Sequence, residues 1–100
     1  MSKALLICED RARSQSVIHA LEEDHDVWHV ARQRDAMAWL RRHDPEMVVI
    51  DLELDGLDPV QLLDTLYAIP ERKPAIVGIT RNLATLTAEI ADRLDQVIPS

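Results

Sequence analysis

Glu9 and Asp10 follow the apolar run Ala4–Cys8, Asp51 follows Met47–Ile50, and Thr80 follows Ala75–Ile79. Each run has the length of a buried strand, so three carboxylates and a hydroxyl fall at strand C-terminal ends. Open parallel sheets build their sites at that edge. Crowded carboxylates are costly unless a cation binds them or some stay protonated. Mg²⁺ suits such a cluster, because it takes oxygen ligands and keeps several waters. Its candidate ligands are Asp10, Asp51, Glu9 (directly or through a bound water) and the backbone carbonyl of Glu53. The Asp51 carboxylate has the chemistry to attack phosphorus and form an acyl phosphate. The Thr80 hydroxyl is then set to hydrogen-bond a phosphoryl oxygen. The plain alternative is that Glu9 and Asp10 open a solvated loop and Asp51 ends a strand. An acid at one strand end is common, whereas this set at three strand ends is much less so.

The elements that must position these groups alternate along the whole chain. The strands are read at Ala4–Cys8, Asp26–Val30, Met47–Ile50, Ala75–Ile79 and Gln96–Ile98. Between the first three lie helical stretches over Arg13–Glu23, with Val17, Ile18 and Leu21 on one face, and Arg34–Arg42, with Met37 and Leu40 inward and Trp39 flanking. A third helix starts at Asp58-Pro59, a cap followed by a first-turn proline, and carries Leu62, Leu63 and Leu66 until Pro70 stops it. Leu83, Leu86, Ile90 and Leu94 recur three and four apart and predict a fourth helix. The βαβαβαβαβ pattern implies a parallel sheet covered on both faces. Of the common strand orders, 2-1-3-4-5 sets the first and third strands side by side. Only that order brings Glu9 and Asp10 next to Asp51.

Composition narrows the function classes. One hundred residues make one domain over 1–100, and a hydrophobic fraction of 47% argues against disorder. A net charge of −7 offers no basic stripe for nucleic acid and no attraction to an anionic membrane. No apolar run approaches the length of a membrane span, and the N-terminus does not read as a secretory signal. Cys8 is the lone cysteine and reads as a small buried hydrophobe, in keeping with a cytoplasmic setting. His19, His25, His29 and His43 form no metal site by spacing, since His25 and His29 straddle a loop and a strand. The pairs Arg11 and Arg13, Arg32 and Arg34, and Arg41 and Arg42 read as surface charges on an acidic chain. Docking is the alternative for Arg11 and Arg13, which flank the pocket.

At these residues the chain resembles the receiver domain of two-component response regulators. ALLICED resembles that family's first strand with its acidic pair. MVVIDLELDGLDPVQLL resembles the stretch carrying the phosphoacceptor, with Asp51 in that place, and KPAIVGIT resembles the fourth strand ending in Ser or Thr. The resemblance covers essentially all of the chain. It implies the flavodoxin-like (CheY-like) five-stranded fold, and a phosphoryl group received on Asp51 with Mg²⁺ from a histidine kinase or histidine phosphotransfer protein. It implies an acceptor rather than an enzyme, read out through protein–protein contacts.

The sequence departs from that pattern in several places. The Lys that pairs with the phosphoryl group near the end of the fifth strand is replaced by Ile98 or Ser100, and no Lys follows Lys73. Arg81 stands where a small residue usually follows the Thr, either crowding the site or supplying the missing positive charge. No aromatic residue lies in the fifth strand. The usual Pro-containing loop reads Asp55-Gly56, and the Asp-Gly turn reads Asp58-Pro59. No fifth helix follows Pro99-Ser100, so the sheet face beside the first helix is expected to be partly bare and to meet a homodimer partner, an effector domain or a continuation of the chain past Ser100, which would also have room for the pairing Lys. Two readings therefore stay open: a phosphoryl acceptor, or a pseudo-receiver that binds protein without phosphorylation. A haloacid-dehalogenase-like phosphatase would also use an Asp nucleophile with Mg²⁺ and an acid two residues on, here Asp51 and Glu53. That family puts the pair on the first strand rather than the third.

Overall fold

Five apolar runs become five strands in the computed structural model, which describes residues 2–68 and 70–99. They are β1 (Ser2–Ile7), β2 (His25–Val30), β3 (Met47–Asp51), β4 (Ala75–Thr80) and β5 (Gln96–Pro99). All pair in parallel, in the order β2-β1-β3-β4-β5. The helices are α1 (Arg11–Leu21), α2 (Gln33–Leu40), α3 (Pro59–Tyr67) and α4 (Ala88–Ala91), with short 3₁₀ turns at Pro70–Arg72 and Leu83–Thr85. This is the doubly wound architecture that the alternating pattern requires.

Alternation along the strands splits the core in two. Leu5, Ile7, Val48, Ile50 and Ile76 face Ala36 of α2 and Leu62, Leu63 and Leu66 of α3. On the other face Leu6, Cys8, Val49, Val77 and Ile79 lie against Val17, Ile18 and Leu21 of α1. The central strands β1 and β3 are apolar towards both layers, as buried parallel strands must be.

Helix starts are set by local chemistry. The Asp10 side chain accepts the Arg13 N–H at 3.0 Å, and Asp58 accepts the Gln61 N–H at 3.1 Å ahead of Pro59. Each side chain thus satisfies a backbone donor that has no partner inside its helix. Gly56, at φ +76°, takes the tight turn before α3.

Two expectations need correction. The leucine spacing from Leu83 to Leu94 does not make one helix. Leu86 is extended (ψ 120°), and Thr87 caps a fresh single turn, so a 3₁₀ turn and α4 replace it. Ile90 and Leu94 still reach the core, while Leu83 is exposed. His25 and His29 both lie within β2, rather than straddling a loop and a strand. The sheet face beside α1 is partly bare, as expected: Val49, Val77 and Ile79 are buried, while Ile98, the register partner of Ile79, is exposed.

Candidate functional site

Parallel pairing of β1, β3 and β4 in matched register carries the chain to one edge of the sheet. Ile7 pairs with Ile50, and Asp51 pairs with Ile79. The segments after β1, β3 and β4 therefore emerge side by side. They form an open cavity of about 350 Å³ lined by Glu9, Asp10, Arg13, Asp51, Glu53, Leu54, Asp55 and Arg81. Glu9, Asp10, Asp51 and Glu53 thus share one cavity. Thr80 closes β4 close by, but it is not among the lining residues. Its hydroxyl accepts the Asn82 N–H at 3.2 Å and lies 3.4 Å from the Asn82 carbonyl oxygen, so it serves its own loop.

Asp51 is 5% exposed, and both of its carboxylate oxygens have neighbours. Oδ1 accepts the Glu53 N–H at 3.0 Å and lies 3.0 Å from Nη1 of Arg13. Oδ2 lies 3.6 Å from Sγ of Cys8, whose thiol donates to it. The same Arg13 Nη1 lies 3.8 Å from Oε2 of Glu53, so one guanidinium nitrogen sits between two carboxylates. Its side chain is only 11% exposed. Arg13 is therefore an interior cation of the site, not the surface charge its sequence position suggests. Arg11 stays exposed on the first turn of α1.

Arg81 plays a looser part. Its N–H donates to Oε2 of Glu53 at 2.8 Å, and its guanidinium stands 3.9 Å from Oδ2 of Asp10 while remaining mostly exposed. The Arg13 backbone N–H, together with the Arg13 and Arg81 charges, holds the Asp10 carboxyl below its ordinary value. Burial, reinforced by the Asp51 charge, pushes the Cys8 thiol up. Cys8 is thus a neutral donor under a carboxylate.

The loop after β1 is pinned from below. Ser14 Oγ donates to the Asp10 carbonyl at 2.7 Å and lies 3.1 Å from Nε2 of His29. That nitrogen is 2.7 Å from the Cys8 carbonyl oxygen, which assigns it a proton. His29 is therefore structural here, and the loop bearing Glu9 and Asp10 is fixed rather than free.

The ligand set expected for Mg²⁺ does not fit in this arrangement. Asp51, Asp10 and Glu53 already meet guanidinium groups and backbone donors, and Glu9 is exposed at the rim. Among the described residues no three His, Cys, Asp or Glu groups gather closely enough to hold an ion.

Of the two β5 positions that could carry a cation, only Ile98 lies within the described residues. Ile98 is exposed, and Ser100 lies outside the described residues. Lys73 and Lys3 are engaged elsewhere, 3.1 Å from Asp95 and 3.3 Å from Nδ1 of His43 respectively. Trp28, Trp39 and Tyr67 all lie off β5. Sequence reasoning missed Arg13 and Cys8 as site residues. A signal for Arg13 did exist. A cation in the first turn of a helix opposes the helix dipole, and three acids stood nearby to hold it there.

No family model matches the chain, and no curated protein matches it in sequence. Solved structures do match it. A CheY-like response regulator receiver domain from Methylobacillus flagellatus superposes with a TM-score of 0.86 at 22% identity, over 99% of this chain and 86% of that one. A chemotaxis response regulator of Vibrio cholerae gives 0.82 at 16% identity, over 99% and 86%. The receiver domain of a sensor histidine kinase of Pseudomonas aeruginosa, described with a magnesium ion in its active-site cleft, gives 0.73 at 22% identity, over 99% and 85%. In strand order, and over nearly all of its length, the chain has the fold of CheY-like response regulator receiver domains.

Proposed function

We propose that this protein is a receiver-type signalling domain whose Asp51 accepts a phosphoryl group. The observation that carries the reading is the placement of Asp51 as the last residue of β3, at the floor of an acidic cavity at the carboxyl edge of a receiver fold. The donor is a phosphohistidine of a histidine kinase or phosphotransfer protein. An Asp51 oxygen attacks phosphorus, the P–N bond breaks, and the imidazole leaves with the bonding pair and takes a proton from solvent. The product is an acyl phosphate. The Arg13 guanidinium, already 3.0 Å from the attacking carboxylate, has donors to spare for phosphoryl oxygens. Thr80 stands at the end of the neighbouring strand, and its hydroxyl donates to a phosphoryl oxygen by turning its proton away from the Asn82 carbonyl. Glu9, Asp10 and the Glu53 carbonyl are the oxygen donors available should Arg13 withdraw. The chain acts as an acceptor, not as a turnover enzyme, and its output is a protein contact with a second copy or an effector domain.

Incubation with acetyl phosphate or phosphoramidate, followed by intact-mass measurement, tests this reading. The wild-type chain should gain one phosphoryl group, and Asp51→Ala should gain none. A wild-type chain that stays unmodified at every donor concentration, with and without Mg²⁺, overturns it. One observation favours a second reading, a phosphorylation-independent binding module: both Asp51 oxygens are engaged, and the residue is almost wholly buried. Under that reading Asp51→Ala leaves partner binding unchanged.

A further inference from the structure

Asp10 caps α1 by accepting the Arg13 N–H at 3.0 Å, and Arg13 lines the cavity at the strand ends. The helix itself gives a cation no welcome there, because its N-terminal end carries partial positive charge. What holds the guanidinium is the pair of carboxylates it meets, Asp51 at 3.0 Å and Glu53 at 3.8 Å. An arginine cannot discharge by losing its proton inside a protein. It is therefore a permanent counter-ion, tethered to the site by its own helix.

A divalent cation asks for the same oxygens. Mg²⁺ needs a near-octahedral shell of oxygen ligands and gives up its waters reluctantly. Here Oδ1 of Asp51 is shared by Arg13 and the Glu53 N–H, and Oδ2 faces the Cys8 thiol. A dication entering beside Asp51 would stand within a few ångströms of a guanidinium, where like charges repel strongly in a partly buried setting. The cavity is lined by five carboxylates and only two guanidinium groups, so it attracts cations in general. The obstacle is local, at Arg13.

We infer that Arg13 and a divalent cation are mutually exclusive occupants of the Asp51 site, with Arg13 the occupant at rest. The inference rests on the proposed reading in treating this cavity as the acceptor site. In it, Arg13 makes Asp51 charge-balanced without metal, and metal enters only as the guanidinium swings out.

Mg²⁺ titration of the full chain, followed by amide and arginine side-chain NMR signals, tests the inference without any reaction. In the wild-type chain the Glu9, Asp10 and Glu53 amides should move only at high Mg²⁺, and the Arg13 Nε–H signal should move with the same midpoint. Arg13→Gln should bind Mg²⁺ about tenfold more tightly or better. Arg13→Lys, which keeps a charge but loses the planar fork, should fall between the two. Equal Mg²⁺ affinity in the wild-type chain and Arg13→Gln overturns the inference. So does metal bound at these amides while the Arg13 signal stays still, a measurement that needs no variant to fold. Failure of the acceptor reading looks different: no phosphoryl gain in either the wild-type chain or Arg13→Gln, whatever the Mg²⁺ titration gives.

Discussion

A thiol directly beneath a carboxylate has few options. Cys8 is fully buried just past the end of β1, with Sγ 3.6 Å from Oδ2 of Asp51. Burial and the Asp51 charge both disfavour a second anion there, so the thiol keeps its proton and donates it. Only the thiolate reacts with alkylating or disulfide reagents. The folded chain should therefore label far more slowly than the unfolded chain at mildly alkaline pH. A native rate matching that in urea would mean that Cys8 is open to solvent and not part of the Asp51 floor. The sequence marked Cys8 as a small buried hydrophobe, and that much holds. Its contact with Asp51 was not legible, because it depends on which β3 residue pairs across from the end of β1. For Arg13 the helix-dipole signal was present, but its inward turn was not legible, for a related reason. Arginines near a helix start are ordinarily solvated, and it is the Asp51 and Glu53 carboxylates beyond β1 that turn this one inward.

Elements joined through side chain to backbone contacts fold as one piece, and the entry into β5 is such a joint. Oδ2 of Asp95 accepts the Ile76 N–H at 2.7 Å and lies 3.1 Å from Nζ of Lys73, while the Asp95 N–H reaches the Ile76 carbonyl at 2.8 Å. The Ile76 N–H, and then Lys73, hold the Asp95 carboxyl below its ordinary value of 3.8. A depressed carboxylate favours the folded state above its ordinary value, and that contribution is lost as pH falls through the lower folded value. Asp95→Asn should therefore flatten part of the acid limb of stability, and Asp95→Ala should cost about 1 kcal/mol at neutral pH through the lost acceptor for Ile76. Urea unfolding of both variants in acid and at neutral pH checks this. An unchanged acid slope in Asp95→Asn would remove Asp95 from the account. Helix boundaries here illustrate the reach of pattern reading. Asp58-Pro59 fixed the start of α3 because cap and proline act within one turn. The Leu83–Leu94 spacing suggested one helix, but Thr87 offers a competing cap that periodicity does not register.

At the scale of the whole molecule, strand order was legible because chemistry and topology constrain each other. Acids forty positions apart share a site only if β1 and β3 are neighbours, and they are. How far each face is covered was not legible, because the number of apolar residues on a face does not say how far one helix reaches across it. Ile79 and Ile98 are register partners on one face, yet Ile79 is 3% exposed and Ile98 is 42% exposed. The boundary of the core therefore runs between β4 and β5 on the α1 side. Truncating a buried isoleucine removes transfer energy and leaves a cavity, so Ile79→Ala should cost roughly 3 kcal/mol. Ile98→Ala loses little that is not already wet, so it should stay within about 0.5 kcal/mol of the wild-type chain. Chemical denaturation of the two variants at low protein concentration makes the comparison. If Ile98→Ala proves as costly as Ile79→Ala, then Ile98 is covered in solution, and the rim of β5 belongs to an interface between chains. If the two differ as stated, β5 is the outer wall of a single chain whose core ends at β4.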